Sequence, residues 1–157
     1  MKIAIASDHR GVEYKKEVIE YLQEKGHEVI DCSPVNFDTD DYPDFAYIVC
    51  NKVVSKEAEI GILACRTGIG MSIAANKVKG IRCAKINSEE DATLSRNDNG
   101  ANVMTFNYTD DIENIKKYID AFIAADVIND PRHQRRVDKI MAIEAGTYEG
   151  YSTYLLT

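Results

Sequence analysis

The segment from Cys65 to Gly70 carries the residue types best suited to acid–base chemistry on an anion. Gly68 and Gly70 allow a ligand to approach the backbone closely, and the helix predicted to begin there points free N–H groups and a positive dipole towards an anion. A helix start of this kind favours the thiolate form of a nearby cysteine, so Cys65 could abstract a proton or attack as a nucleophile. A tight strand-to-helix turn with a buried thiol explains the same residues about equally well. Nucleotide motifs fit poorly, because Ile73 stands where a dinucleotide fingerprint has its third glycine and no Gly-Lys-Ser/Thr follows.

Two further polar groups are weaker candidates on their own. Asp8 and His9 follow the first predicted strand and could hold sugar hydroxyls or move protons. The structural alternative is favoured for this pair taken alone: Asp8 caps the next helix and His9 lies in solvent. The stretch 97–100, Asn-Asp-Asn-Gly, is first of all typical of a turn that ends a helix.

A short basic cluster lies near the end of the chain. Arg132 and Arg136 are spaced i, i+4 at a predicted helix start, beside His133. Arginine forks suit phosphate oxygens, so the cluster is a candidate anion site. A solvated helix face is the commoner explanation of such a charge run. Lys77 could also contact an anion, although a lysine favoured by the helix dipole explains it more simply.

Short apolar runs alternate with stretches of helical periodicity along the whole chain. This alternation predicts a doubly wound, Rossmann-like five-stranded parallel sheet with helices on both faces. The predicted strands are 3–6, 29–30, 60–64, 81–86 and 103–106. The predicted helices are 14–22, 43–53, 69–77, 89–95, 110–123 and 131–145.

Ligands of such sheets bind beyond the carboxyl ends of the strands, so segments 7–11 and 65–70 and the region around Asn87 should converge. The helix predicted at 131–145 follows the last strand and has no further strand to cover. We therefore expect an additional C-terminal helix that, with the tail, contacts a partner subunit. Without a repeat or linker, 1–157 is expected to be a single domain.

The composition narrows the classes of protein that fit. Of 157 residues, 45% are hydrophobic and 29% charged, and the net charge is −7, which argues against a nucleic-acid surface. No apolar run approaches the ~20 residues that span a bilayer, and the N-terminus lacks signal-peptide features, so a cytoplasmic location is expected. The four cysteines have neither zinc-site nor disulfide-framework spacing. No metal is expected.

Taken together, these motifs resemble the ribose-5-phosphate isomerase type B family, which includes the galactose-6-phosphate isomerase subunits. The resemblance covers the chain from Met1 to about Ile143, and its central motif is long and specific. The matching motifs are Ser7-Asp8-His9-x-Gly11, Asp41-Tyr42-Pro43-Asp44, Cys65-x-Thr67-Gly68-Ile69-Gly70-x-Ser72-Ile73-Ala74-Ala75-Asn76-Lys77, Gly80-Ile81-Arg82, Leu94-Ser95-Arg96, Ala101-Asn102-Val103 and Arg132-His133-x-x-Arg136-Val137.

The resemblance implies an aldose–ketose isomerase that acts on a phosphorylated sugar without a metal or organic cofactor. It implies that Cys65 moves a proton between C2 and C1 through an enediolate, while Thr67 supports the loop or touches the sugar. Met71 stands where another branch of the family has a glutamate, which leaves Cys65 as the base candidate in this loop. The remaining matched residues fall into three groups: the Gly68, Ile69 and Gly70 amides for the oxyanion, Asp8 and Asn99 for the sugar, and Arg132, His133 and Arg136 for the phosphate.

The family's phosphate site is completed by the partner subunit, so the resemblance also implies a homodimer, or a dimer of dimers, with shared active sites. The helix predicted at 131–145, left without a strand to cover, is consistent with that arrangement.

Three departures from the family bear on the substrate. Asp98 stands where the family has a histidine thought to open the furanose ring, and an ordinary aspartate, with a pKa of about 3.9, is a poorer acid at neutral pH. His9 is the alternative ring-opening residue. Arg66 replaces a glycine after the cysteine and could favour the thiolate or contact the substrate. Ser33 and Arg10 stand where the family often has glycine.

Three functions remain open at this point. The first, which is favoured, is interconversion of ribose 5-phosphate and ribulose 5-phosphate. The second is isomerisation of a hexose 6-phosphate, allose or galactose. The third is a catalytically silent protein that binds a sugar phosphate, which the aspartate at position 98 favours and the intact anion loop disfavours.

Overall fold

The computed structural model describes residues 1–128 and 130–150. Five parallel strands form one sheet in the order β2-β1-β3-β5-β4. The doubly wound fold predicted from the alternation of strands and helices is confirmed. The strands are β1 (Lys2–Ser7), β2 (Glu28–Asp31), β3 (Ile60–Cys65), β4 (Cys83–Lys85) and β5 (Val103–Asn107).

Helices cover both faces of the sheet because successive strand residues point to opposite sides. Ile3 and Ile5 of β1 pack with helices α1, α4 and α5, whereas Ala4 and Ala6 pack with α2 and α3. Both clusters consist of fully or nearly fully buried apolar side chains, which fix the strands beneath the site. The helices are α1 (Val12–Glu24), α2 (Tyr42–Val54), α3 (Ile69–Ala75), α4 (Glu89–Asn97), α5 (Ile112–Ala124) and α6 (Pro131–Ala145), with a 3-10 turn at His9–Gly11.

Strand β4 is shorter than the predicted 81–86. It lies at the edge of the sheet, and its outer side pairs with a side chain instead of a strand. The Asn76 side chain accepts a hydrogen bond from the Cys83 N–H at 2.8 Å and donates one to the Cys83 carbonyl at 2.9 Å. The Arg82 N–H donates to the Asn102 side chain at 2.9 Å, which replaces a ladder bond and delays the strand. Helix α3 ends at Ala75, directly before Asn76 and two residues before the predicted end at Lys77.

Helix α6 has the predicted bounds and packs against its own chain. Val137 is buried, the Gly80 N–H donates to Glu144 at 3.1 Å, and an Arg82 nitrogen lies 3.2 Å from the sulfur of Met141. The helix therefore packs within its own chain beside the start of β4, although no strand remains for it to cover. The predicted C-terminal tail extends beyond residue 150 and there lies outside the described residues. Within the described residues, no helix is both long and apolar enough to cross a membrane.

Candidate active site

The thiol of Cys65 lies at the carboxyl end of β3, directly before the loop that leads into α3. Its residue is 6% exposed, and its Sγ accepts a hydrogen bond from the Gly68 N–H at 3.0 Å. Gly68 adopts a left-handed conformation with φ of 75°, and its carbonyl accepts a hydrogen bond from the Thr105 hydroxyl at 3.1 Å. The loop therefore fixes the sulfur beside an N–H donor that stabilises negative charge on it.

The amides predicted to stabilise an oxyanion have different partners. The Gly68 N–H donates to Cys65, and the Ile69 N–H donates to the Thr67 hydroxyl at 3.2 Å. Within the described part of the chain, the hydrogen bonds include none from the Gly70 N–H, which leaves it for a ligand. A Cβ at Gly70 would lie 2.6 Å from the Tyr42 ring, so glycine is required for the close approach of that ring.

Three other residues in or beside this loop have defined positions. Met71 is fully buried in the core beneath the loop, so its role here is packing. Arg66 is exposed at the mouth of the loop. The Lys85 side chain donates to Asn87 at 3.0 Å, and its methylenes would lie 3.4 Å from a Cβ at Gly68, so the region around Asn87 does reach the Cys65 loop.

Asp8 and His9 directly follow β1 and so lie at the carboxyl ends of the strands, as Cys65 does. Asp8 Oδ1 accepts hydrogen bonds from the backbone N–H groups of Arg10 and Gly11, both at 3.1 Å, so Asp8 caps the 3-10 turn. His9 does not lie free in solvent as its structural interpretation assumed: its Nδ1 lies 2.8 Å from Asp40 Oδ1. Asp40 belongs to the polar loop before α2, and the sequence offered no periodic signal for it.

Tyr108 is a site residue that the sequence reasoning missed. It follows β5, and its N–H donates to the Cys65 carbonyl at 3.3 Å. Burial raises the pKa of Tyr108, and so do Asp8 and Cys65, whereas Arg10 and Arg66 lower it. Its hydroxyl is buried and has no hydrogen-bond partner among the described residues. The rule that ligands bind beyond strand ends would have found it, since Tyr108 is the first residue after β5.

We predict that Tyr108→Phe stabilises the ligand-free protein by about 1 kcal/mol, because it removes a buried hydroxyl that lacks a partner. Tyr14→Phe is the matched control: the Tyr14 ring lies 6.2 Å from the Tyr108 ring, but its hydroxyl donates to the Asp110 carbonyl. Tyr14→Phe should therefore destabilise the protein by a similar amount. Denaturant unfolding measures both changes. A loss of stability in Tyr108→Phe as large as that in Tyr14→Phe would contradict an unpartnered hydroxyl.

The remaining predicted site residues form a second cluster. Asp98 ends α4, and its Oδ1 lies 3.3 Å from Nε2 of His133 on α6. Arg132 is paired with Asp130 at 2.9 Å, and the hydrogen bonds from Arg132 lower the pKa of Asp130 to about 2. Arg136 is exposed one helical turn further along α6. The cluster thus combines two arginines and a histidine of α6 with Asp98 and the turn that contains Asn99.

The parallel register separates this cluster from Cys65 within one chain. Gly61 is opposite Val103 and Cys65 is opposite Asn107, so Cys65 lies four residues along the strand direction from the start of β5. At about 3.3 Å per residue this is about 13 Å, and Asp98 and Asn99 precede β5 on the amino side. The structure therefore divides the predicted site residues between the carboxyl ends and the amino ends of the strands.

No group of three or more His, Cys, Asp or Glu side chains suited to a metal ion occurs in residues 1–128 and 130–150. The site's chemistry rests on a thiol beside a helix start, a carboxylate and an imidazole. A doubly wound α/β domain with these groups beyond its strand ends is suited to acid–base chemistry on a small polar anion.

Comparisons with known proteins narrow this class to one family. The model of the Ribose/Galactose Isomerase family matches residues 3–140. The chain is 46% identical to the probable ribose-5-phosphate isomerase B of Mycoplasma genitalium, over 92% of this chain and 97% of that protein. It also resembles the solved ribose-5-phosphate isomerase B of Clostridium thermocellum, with a TM-score of 0.89, 39% identity and coverage of 93% and 99% of the two chains. The crystal structure of the Mycoplasma genitalium protein with bound ribulose 5-phosphate gives a TM-score of 0.85 at 41% identity, covering 92% and 96%.

The chain belongs to the ribose/galactose isomerase family, as the sequence motifs predicted. Membership at this level of identity, over most of the chain, makes the protein an aldose–ketose isomerase.

Proposed function

We propose that this protein interconverts ribose 5-phosphate and ribulose 5-phosphate. The observation that carries the proposal is the Cys65 thiol, held at the carboxyl edge of the sheet by the Gly68 N–H at 3.0 Å. The ribulose 5-phosphate bound to the Mycoplasma genitalium relative supports a five-carbon substrate. No cofactor or metal is needed for this reaction, because it only moves protons within the sugar.

In the proposed reaction, Cys65 as thiolate removes the proton from C2 of the open-chain aldose. The electron pair of that C–H bond forms the C1–C2 double bond of an enediolate, whose oxygen charge is stabilised by the unpaired Gly70 N–H. Cys65 then returns the proton to C1, while a proton passes from O2 to O1, so no net proton is gained or lost. Asp8 has its Oδ2 available for sugar hydroxyls, since Oδ1 caps the turn.

Thr67 and Arg66 complete the proposed site at the Cys65 edge. The Thr67 hydroxyl holds the Ile69 N–H and so keeps the loop in shape. Arg66, exposed beside the thiol, is proposed to contact the anionic substrate. With the Ile69 N–H engaged by Thr67, the loop offers the Gly70 N–H as its donor for the substrate.

We propose that the second cluster serves the site of another subunit. Arg132, His133 and Arg136 bind the phosphate and Asn99 contacts the sugar, in each case across the subunit boundary. The register that separates Asn99 from Cys65 by more than about 13 Å supports this arrangement. Exposed isoleucines on two helices provide apolar surface for such contact: Ile69 and Ile73 on α3, and Ile140 and Ile143 on α6.

The assembly is proposed to be a homodimer or a dimer of dimers, with α6 and the tail at the partner subunit. We also propose a cytoplasmic location. The thiol of Cys65 must stay reduced to act as a base, and all four cysteines are free.

Two alternatives are tested with the proposal. One is isomerisation of allose or galactose 6-phosphate, and the other is binding of a sugar phosphate without turnover. The purified protein should be assayed with ribose, allose and galactose phosphates under identical conditions. We expect the largest kcat/KM for ribose 5-phosphate. A larger value for a hexose 6-phosphate would reassign the substrate, and binding without turnover of any of them would make the protein a silent binder.

A further inference from the structure

Asp40 is a buried carboxylate with a full set of hydrogen-bond donors. Its side chain is 7% exposed, and Oδ1 accepts hydrogen bonds from the His9 backbone N–H at 3.2 Å and from the His9 ring at 2.8 Å. Oδ2 accepts from the Asn36 amide at 2.9 Å and from the Phe37 N–H at 3.3 Å. Burial raises the pKa of Asp40, but these hydrogen bonds together outweigh it and hold the pKa below its usual value. Asp40 is therefore an ionised acceptor behind His9.

The contact determines which nitrogen of His9 can exchange a proton. An ionised carboxylate accepts only, so Nδ1 of His9 must carry a hydrogen in its neutral as well as its charged form. Nε2 is then the atom that gains and loses a proton, and the ring is held in one orientation by the carboxylate. Asn36 braces the pair, because its amide donates both to Asp40 and, at 3.0 Å, to the Ser7 carbonyl at the end of β1.

The pair lies at the edge of the sheet that carries the thiol. His9 follows β1, which neighbours β3, and Cys65 ends that strand. The other candidate for opening the sugar ring is Asp98, whose carboxylate is paired with His133 at 3.3 Å. An imidazole also exchanges protons near neutral pH more readily than a carboxylate does.

We propose that His9 opens the furanose ring of the aldose phosphate and that Asp40 is its positioning residue. Nε2 of His9 removes the proton from the C1 hydroxyl, the C1–O4 bond breaks as the C1 carbonyl forms, and O4 takes the same proton from Nε2. One proton is moved and none is gained or lost. The inference rests on the proposed function, since it supplies Cys65 with the open-chain aldose.

Ring opening can be measured separately from isomerisation in a Cys65→Ser protein. The two furanose anomers of ribose 5-phosphate interconvert through the open chain, so exchange spectroscopy with a ¹³C label at C1 reports opening alone. We expect Cys65→Ser protein to accelerate anomer exchange, and Asp40→Asn added to it to reduce that acceleration by about 10-fold or more. Asp38→Asn in the same background is the matched control, because Asp38 is an exposed acidic residue of the same loop.

Three further measurements keep the test decisive. His9→Gln in the Cys65→Ser background should remove the acceleration, and adding Asp40→Asn to it should have no further effect. ¹⁵N NMR of the otherwise unaltered protein, assigned with His9→Gln, should show neutral His9 with its hydrogen on Nδ1, which decides the positioning role even if Asp40→Asn fails to fold. Asp98→Asn in the Cys65→Ser background tests the competing candidate, because loss of exchange there together with retained exchange in His9→Gln would assign ring opening to Asp98.

Some outcomes overturn the inference and leave the proposed function intact. One is anomer exchange that is retained in folded Asp40→Asn or His9→Gln proteins, or that is lost in Asp98→Asn instead. Another is a hydrogen on Nε2 of neutral His9. The last is the absence of any acceleration by Cys65→Ser protein while the natural protein isomerises ribose 5-phosphate. If the natural protein does not isomerise ribose 5-phosphate, the proposed function fails first and this inference fails with it.

Discussion

Cys65→Ser should lower the turnover of ribose 5-phosphate by roughly 100- to 10,000-fold, the range that a general base contributes. A hydroxyl has nearly the size of a thiol, so folding and phosphate binding should be preserved. It is almost entirely protonated at neutral pH, however, and the Gly68 N–H would then face a neutral oxygen instead of a thiolate. Steady-state kinetics should place the loss in kcat, with KM little changed.

The other cysteines provide the control for this substitution. Burial raises the pKa of Cys50 to about 12 and also raises the pKa of Cys83, so both remain neutral thiols and neither is suited to act as a base. Cys83→Ser, in the edge strand β4, should retain turnover close to that of the natural protein. Near-normal turnover in Cys65→Ser would move the base elsewhere, with Asp98 as the next candidate.

The parts of the molecule that the sequence predicted are those determined by local pattern. Apolar runs and helical spacing gave all five strands and the bounds of α6, because each pattern reports the face that its own element buries. The Cys65 loop was equally accessible, since its glycines, its thiol and the following helix are contiguous in the chain. Strand β4 was predicted too long because side chains of Asn76 and Asn102, distant in sequence, replace its backbone partners.

The parts that the sequence missed depend on contacts between distant segments. Asp40 lies 31 positions from His9 in a loop without periodicity, so neither residue alone predicts the pair. The sequence motifs group Asp98 and Cys65 in one site and do not show how far apart they lie within one chain. That distance follows from the register of β3 with β5. A residue type at a matching position predicts chemistry, but only the fold shows at which end of the strands that residue lies.

The separation of Cys65 from the second cluster within one chain leads to another prediction, that activity returns when two inactive proteins are mixed. If the second cluster serves the neighbouring subunit, a Cys65→Ala subunit paired with an Arg136→Ala subunit has one site with both defects and one site with neither. Random exchange makes about half of the dimers hybrids, each with one intact site of two, so activity should return to about a quarter of the natural level. Arg136 is exposed, and Cys65→Ala removes only one sulfur atom at the end of β3, so neither substitution should prevent assembly.

The measurement needs proof that subunits exchange between dimers, and a control mixture whose two defects cannot restore activity. Subunits of different mass, followed by native mass spectrometry, report hybrid formation directly. Mixing Cys65→Ala with Thr67→Ala should give no such recovery, because both residues belong to the same site of one chain and every site of a hybrid then carries one of the two defects. Absence of activity in a Cys65→Ala and Arg136→Ala mixture that contains hybrids would mean that each chain uses its own α6, and the shared site would have to be abandoned even if the isomerase activity stands.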